Sequence, residues 1–280
     1  MALFNQYSFI RFTDSNPETY TTPPQAYIKA PPQAYIKERC QYPFMPIIVP
    51  GEYIAFYIGS KYGYDLGATV NLQIVKYNTG VIIGTYPYLQ QDIFVSGLYN
   101  LYADFTIPAL DNGVYYFRAV TSGGSVLLTS NLLLCMNEDY HNVSSYVEFT
   151  NDQNLYNVRY ASLGNFYQKF RLRITDITGG DYEQNNEAYR STTSGRYRDL
   201  LEIPERYFTF EAYYFDTPAF EALSCFLAHG TRLINTKEYG FKANLSHDPI
   251  LLNNVAKGQF QMYDQAFSTV NKCYANIVSS

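Results

Sequence analysis

The chain has 280 residues, 47% hydrophobic and 16% charged, and its aromatic content is 30 Tyr and 19 Phe with no Trp. That composition excludes a disordered chain, and a formal net charge of −5 is too small and of the wrong sign for a protein that wraps nucleic acid. Length suggests two domains of about 100–150 residues each.

Residues 1–45 read as a first strand, "QYSFIRFT", followed by a Pro-rich extended arm. Proline lacks the donor N–H and restricts its predecessor to extended geometry, so neither a helix nor a central strand fits there. Within the arm "PPQAYIK" occurs twice, Pro23–Lys29 and Pro31–Lys37. A repeat of eight is a multiple of two, so in an extended strand Tyr27 and Tyr35 project to one side, as do Ile28 and Ile36. The duplication is either a tolerated loop insertion or a pair of docking units laid over a neighbouring subunit.

Residues 46–137 alternate as short strands separated by turns: "EYIAFYIG", "TVNLQIVKY", "VIIGTY", "LYNLYADFTI", "GVYYFRAVT" and "SVLLTSNLLLC". Six or seven antiparallel strands without a helical period predict a two-sheet sandwich. "DNGVYYF", Asp111–Phe117, resembles the D-x-G-x-Y-x-C pattern at strand F of immunoglobulin-like sandwiches. The resemblance implies a tyrosine corner at Tyr115, with Phe117 where the cysteine would stand.

Residues 138–280 predict a second β-rich domain with strands at "SYVEFT", "YNVRY", "YQKFRLRIT", "RYFTFEAYYF", "TRLINT", "YGFKANLS" and "GQFQMYDQAF". Lys169, Arg171 and Arg173 alternate with Phe170, Leu172 and Ile174, which predicts one basic face. A long loop is expected over 176–200, where aliphatic side chains are almost absent. One helix is expected over 217–229, with Asp216 or Thr217 as cap, Pro218 in the first turn and Gly230 at its end. The fold class is therefore mainly β: an Ig-like antiparallel sandwich, then a β-rich domain with one short helix.

No pattern names a reaction, and no enzyme activity is expected. Cys40, Cys135, Cys225 and Cys273 are too widely spaced for a metal cluster and read as free buried thiols. His141, His229 and His247 have no catalytic or ligand partner in the sequence, and His229 reads as a cation complementing the helix dipole. Asp104, Glu211 and Asp264 fall on strands and would form a carboxylate pair only if the fold brought two together. No cofactor, metal or catalytic residue is assigned.

The loop over 176–200 has an acidic half (Asp181, Glu183, Glu187) and a basic half (Arg190, Arg196, Arg198), a segregation suited to head-to-tail docking between copies. Arginine interleaved with tyrosine is common at protein contacts. The expected subunit interface is thus Tyr27, Ile28, Tyr35, Ile36, Arg190, Arg196, Tyr197 and Arg198. "MALFNQYSFIRFT" lacks the pattern of a cleavable signal and no apolar run reaches the ~18 residues of a membrane helix, so no membrane partner is expected.

"YRSTTSGRYRDLLEIPERYFTFEAYYFDTPAFEALSCFLAHGTRLIN" and "AKGQFQMYDQAFSTVNK" resemble the tail-associated structural proteins of tailed bacteriophages and prophages, over residues 140–275. The resemblance implies a non-enzymatic virion subunit, a homo-oligomeric ring in the tail or connector, assembled in the host bacterial cytoplasm. Its partners would be copies of itself and other virion structural proteins, with DNA contact at most through a channel-facing loop. The alternative is a surface adhesin or carbohydrate-binding sandwich whose tyrosines stack on sugar rings.

Overall fold

A computed structural model describes residues 3–4, 8–13, 44–59, 70–86, 90–95, 98–153, 155, 158, 160, 166–176, 181–190, 197–250 and 255–264. Two short strands come first, β1 (Leu3–Phe4) and β2 (Phe12–Thr13). The sandwich follows: β3 (Ile47–Ile48), β4 (Tyr53–Gly59), β5 (Val70–Lys76), β6 (Ile82–Tyr86), β7 (Gln90–Val95), β8 (Leu98–Thr106), β9 (Gly113–Thr121), β10 (Val126–Ser130) and β11 (Leu133–Cys135). One layer is β7–β8–β4. The other is β6–β5–β9, with β9 shared lengthwise between β10 and β11. β3 runs parallel to β11, and β2 extends the second layer beyond β10.

Period-two patterning explains the layers. In β5 Val70, Leu72 and Ile74 are buried, and in β4 Ile54, Phe56 and Ile58 face the same core. Phe117 lies inside, as its position in the strand pattern requires, and stacks on Phe56 with ring centroids 5.4 Å apart and planes 8° apart. A ring pair thus joins the two layers. The Tyr115 hydroxyl donates to the Asp111 carbonyl at 3.0 Å, which is the tie that a tyrosine corner makes. Burial pushes the Tyr115 pKa up to about 12, so the hydroxyl keeps the proton that it donates.

After a 3-10 turn at Tyr140–Asn142 come β12 (Ser145–Thr150), β13 (Gln168–Leu172), β14 (Ile174–Asp176), β15 (Asp181–Arg190) and β16 (Tyr197–Asp216). The helix α1 (Thr217–Ala228) leads to β17 (Thr231–Ile234), β18 (Lys237–Ile250) and β19 (Val255–Asp264). β13 pairs with β12, and through Lys169–Ala55 and Arg171–Ile47 also with β4 and β3. β12 continues through β17 and β18 to β19, then to β16 with β14 and β15 on its far side. Of "YNVRY" only Val158 and Tyr160 are among the described residues, and Val158 makes an isolated bridge with Leu155, while β7 appears in a stretch for which no strand was expected.

The core does not stop near residue 137. Phe9 meets Phe170 at 5.8 Å and Phe215 at 6.3 Å, and Phe44 stacks on Phe215 at 4.6 Å. α1 begins where Asp216 accepts from the Ala219 N–H at 2.8 Å, with Pro218 in the first turn. Its buried residues are Ala219, Ala222, Leu223, Cys225, Phe226 and Leu227, with Phe220 partly buried beside them. Small residues let it approach the sheet closely: Phe220 lies where a Cβ on Gly258 would be.

Candidate interaction surfaces

The expected loop over 176–200 is instead largely a β-ribbon. β15 pairs with β16 from Asp181–Tyr207 to Arg190–Tyr197, with a bulge between Glu187 and Ala188. β19 supports β16 from Tyr207 onward, and β14 from Phe210, so the part of β16 before Tyr207 has β15 as its only neighbour among the described residues. Ten residues at about 3.3 Å each carry this ribbon roughly 33 Å beyond the sheet. Arg190, Tyr197 and Arg198 lie at its outer end, with Arg198 opposite Tyr189. Arg196 and the arm residues Tyr27, Ile28, Tyr35 and Ile36 lie outside the described residues.

The register places Glu183 opposite Glu205 nearer the base, where Asp181 and Arg206 also stand, and puts Arg190, Arg198 and Asp199 at the outer end. Like charges in register weaken a ribbon's own pairing. Pro204, opposite Gln184, cannot donate to a ladder and blunts one edge of the ribbon. A two-stranded ribbon of this length is marginal by itself in water.

The second surface is β6. Among the described residues it pairs only with β5. Val81, Ile82 and Ile83 are 52%, 44% and 41% exposed along it. Within Ile82–Tyr86 there is no Lys, Pro or charged residue, the devices by which edge strands are usually kept from pairing further.

The third surface is the outer face of β4, β12 and β13, where the expected basic face is neutralised. Arg171 is buried and reaches Glu52 through Nε at 2.9 Å and Nη2 at 2.5 Å, with Tyr140 4.6 Å under its guanidinium. Lys169 contacts Glu148 at 2.6 Å and lies 5.6 Å from the Tyr53 ring. Tyr53 donates to Asp104 at 2.8 Å, and desolvation, then Asp104, raise its pKa to about 12. Tyr146 donates to the Tyr53 carbonyl at 2.5 Å, and its pKa is pushed up mainly by burial.

His229 is a neutral buried group, contrary to the expected dipole-complementing cation. It occupies the C-cap of α1, where Nδ1 lies 2.6 Å from the Cys225 carbonyl. A carbonyl only accepts, so Nδ1 carries the proton and Nε2 accepts from the Tyr160 hydroxyl at 2.8 Å. Gln168 in turn donates to Tyr160 at 2.5 Å. Desolvation holds the His229 pKa down at about 4, well below its ordinary 6.5. Gly230 stands just past the C-cap, at the helix end as expected, without a positive φ.

The three carboxylates on strands do not form a pair. Asp104 is held by Tyr53, Glu211 accepts from Gln259 at 3.3 Å, and Asp264 meets Lys237 at 2.6 Å. Gln259, opposite Glu211, and Asp264 are five positions apart on β19, roughly 16 Å. Among the described residues no group of three or more His, Cys, Asp and Glu could hold a metal ion. Cys135 and Cys225 are free and buried, and desolvation raises the Cys135 thiol to about 12. No helix among the described residues is long and apolar enough to cross a membrane.

No protein-family model, curated protein or solved structure matches the chain.

Proposed function

We propose that the chain is a non-enzymatic structural subunit that assembles with copies of itself into a ring, in the tail or connector of a tailed-phage virion. The observation that carries assembly is the ribbon: nine register pairs of β15 with β16, from Tyr182–Arg206 to Arg190–Tyr197, project past the last supporting strand. An element that is marginal alone is completed by a neighbour. Its outer arginines and tyrosines suit a protein contact, and the acidic residues nearer its base suit head-to-tail docking. The virion setting rests on the resemblance of residues 140–275 to tail-associated proteins.

Native mass spectrometry tests assembly. A ring gives a closed multiple of the 32.1 kDa chain, whereas a monomer at every concentration rejects the reading. Charge reversal at Arg190 and Arg198 lowers the assembled fraction in a salt-sensitive way. Carbohydrate binding is the second reading, favoured by Tyr53, 40% exposed beside Asp104 and Lys169. Retention on a glycan array that Tyr53→Ala abolishes would support it.

A further inference from the structure

Asp111-Asn112-Gly113 is the turn that leads into β9, and Asn112-Gly113 is the chain's one Asn-Gly pair. We propose that this pair is a self-modifying site, at which the folded protein loses the Asn112 side-chain amide and gains an isoaspartate or aspartate, with water as the co-reactant. The inference goes beyond the assembly reading and does not depend on it.

The Gly113 backbone nitrogen gives its proton to a solvent base and bonds to Asn112 Cγ, and Nδ2 leaves as ammonia. Water then opens the cyclic imide at one of its two carbonyls. Opening at the side-chain carbonyl leaves aspartate, and opening at the backbone carbonyl leaves isoaspartate, whose main chain runs through Cγ.

Each group that this reaction needs is in place. Asn112 is exposed, so water and base reach it. The Asn137 N–H meets its side chain at 2.8 Å, and an N–H only donates, so the atom it meets is Oδ1. Negative charge develops on that oxygen as Cγ is attacked, and the donor stabilises it. Asn137 is itself held, because its Nδ2 donates to the Leu110 carbonyl at 3.1 Å. No bond ties the Asn112 Nδ2 to a described residue, so the leaving group is not restrained. On the nucleophile's side, Gly113 is the first residue of β9 and pairs with Cys135, the last of β11. That rung ends the ladder, where local opening costs least.

No Cβ shields the Gly113 nitrogen, and the fold does not demand glycine there. Its φ is not positive, and a Cβ would meet only the Tyr115 ring at 3.6 Å, an ordinary contact. Asn78 and Asn142 are exposed in turns as well, but they precede Thr79 and Val143, whose branched side chains crowd the backbone nitrogen. The product also acts on the fold. The Tyr115 hydroxyl reaches back across the 112–113 peptide to the Asp111 carbonyl at 3.0 Å. Isoaspartate lengthens the main chain inside that loop and puts a second carboxylate beside Asp111, so the tie of the tyrosine corner is pulled apart.

The test holds the full chain and Gly113→Ala folded at mildly alkaline pH and physiological temperature. Tandem mass spectrometry maps the amide-to-acid exchange, and isoaspartyl methyltransferase detects the isoaspartate. Asn112 is expected to convert at least about tenfold faster than Asn78 or Asn142, and Gly113→Ala to slow it about tenfold or more, which is about 1.4 kcal/mol of barrier. As product accumulates, the urea midpoint of the full chain is expected to fall at least as far as that of Tyr115→Phe, while that of Gly113→Ala holds. Conversion of Asn112 no faster than that of Asn78 overturns the proposal. So does conversion in the urea-unfolded chain but not in the folded one, or a rate that ignores Gly113→Ala. An unchanged midpoint in fully converted chain overturns the effect assigned to the tyrosine corner.

Discussion

Asp216 has two jobs at one point in the fold, and its replacement separates them. Its Oδ1 accepts from the Ala219 N–H at 2.8 Å as the cap of α1, and its two oxygens take Arg11 Nη1 at 3.2 Å and Nη2 at 3.0 Å. The Arg11 side chain is 9% exposed and that of Asp216 19%, so the pair has lost most of its water. Asp216→Ala removes the cap, worth about 1 kcal/mol, and strands a buried guanidinium, worth about 3 kcal/mol at the low end because Asp216 keeps some solvent. The expected loss is about 4 kcal/mol. Asp216→Asn keeps an acceptor for Ala219 and should lose only about 2–3 kcal/mol. Arg11→Met leaves a carboxylate that water still reaches and should cost less than either. Urea unfolding followed by circular dichroism gives each value, and the Arg11→Met/Asp216→Asn double variant isolates the coupling. Equal losses for Asp216→Ala and Asp216→Asn would refute the capping part, and a coupling energy near zero would refute the ion pair.

Three further outcomes are expected. Because the folded pKa of His229 is held at about 4 against 6.5 unfolded, its contribution is complete above pH 6.5. As pH falls towards 4 the unfolded chain takes up the proton first, and about 3 kcal/mol is lost. Urea midpoints from pH 7.5 to 4 measure this, and His229→Gln should flatten the slope by that amount; an unchanged slope contradicts neutral burial. Tyr115→Phe should cost about 1–1.5 kcal/mol through loss of the bond to Asp111, read as a lower unfolding midpoint. Gly240→Ala places a Cβ into the Tyr263 ring across the β18–β19 pair and should destabilise by about 1–3 kcal/mol. Combining it with Tyr263→Ala should recover part of that loss in the same assay, and no recovery would show that the ring is not the obstacle.

The elements legible in the sequence were those whose patterning and burial agree. β9 and β12 match their expected spans residue for residue, because alternation and aromatic content both follow a half-buried strand. The helix was legible from Asp216 and Pro218, which act locally. The ribbon was not, since six of the ten residues of Asp181–Arg190 are Asp, Glu, Gln or Asn, residues that local preference assigns to loops. Its pairing comes from β16, whose aromatic half is anchored by β19. The nearest local signal was the turn-like "STTSG" between "AYR" and "RYR". The basic face and the charge on His229 failed for one shared reason. A sequence gives the type of a residue, but whether Arg171 meets Glu52, or His229 meets a carbonyl, depends on contacts between distant residues.

That dependence bears on where assembly contacts can lie. Lys169 and Arg171, expected on a basic face, both have acidic partners within their own chain. Breaking a satisfied buried pair to dock a partner costs more than the new contact returns. That counts against the neutralised face of β13 as a contact surface.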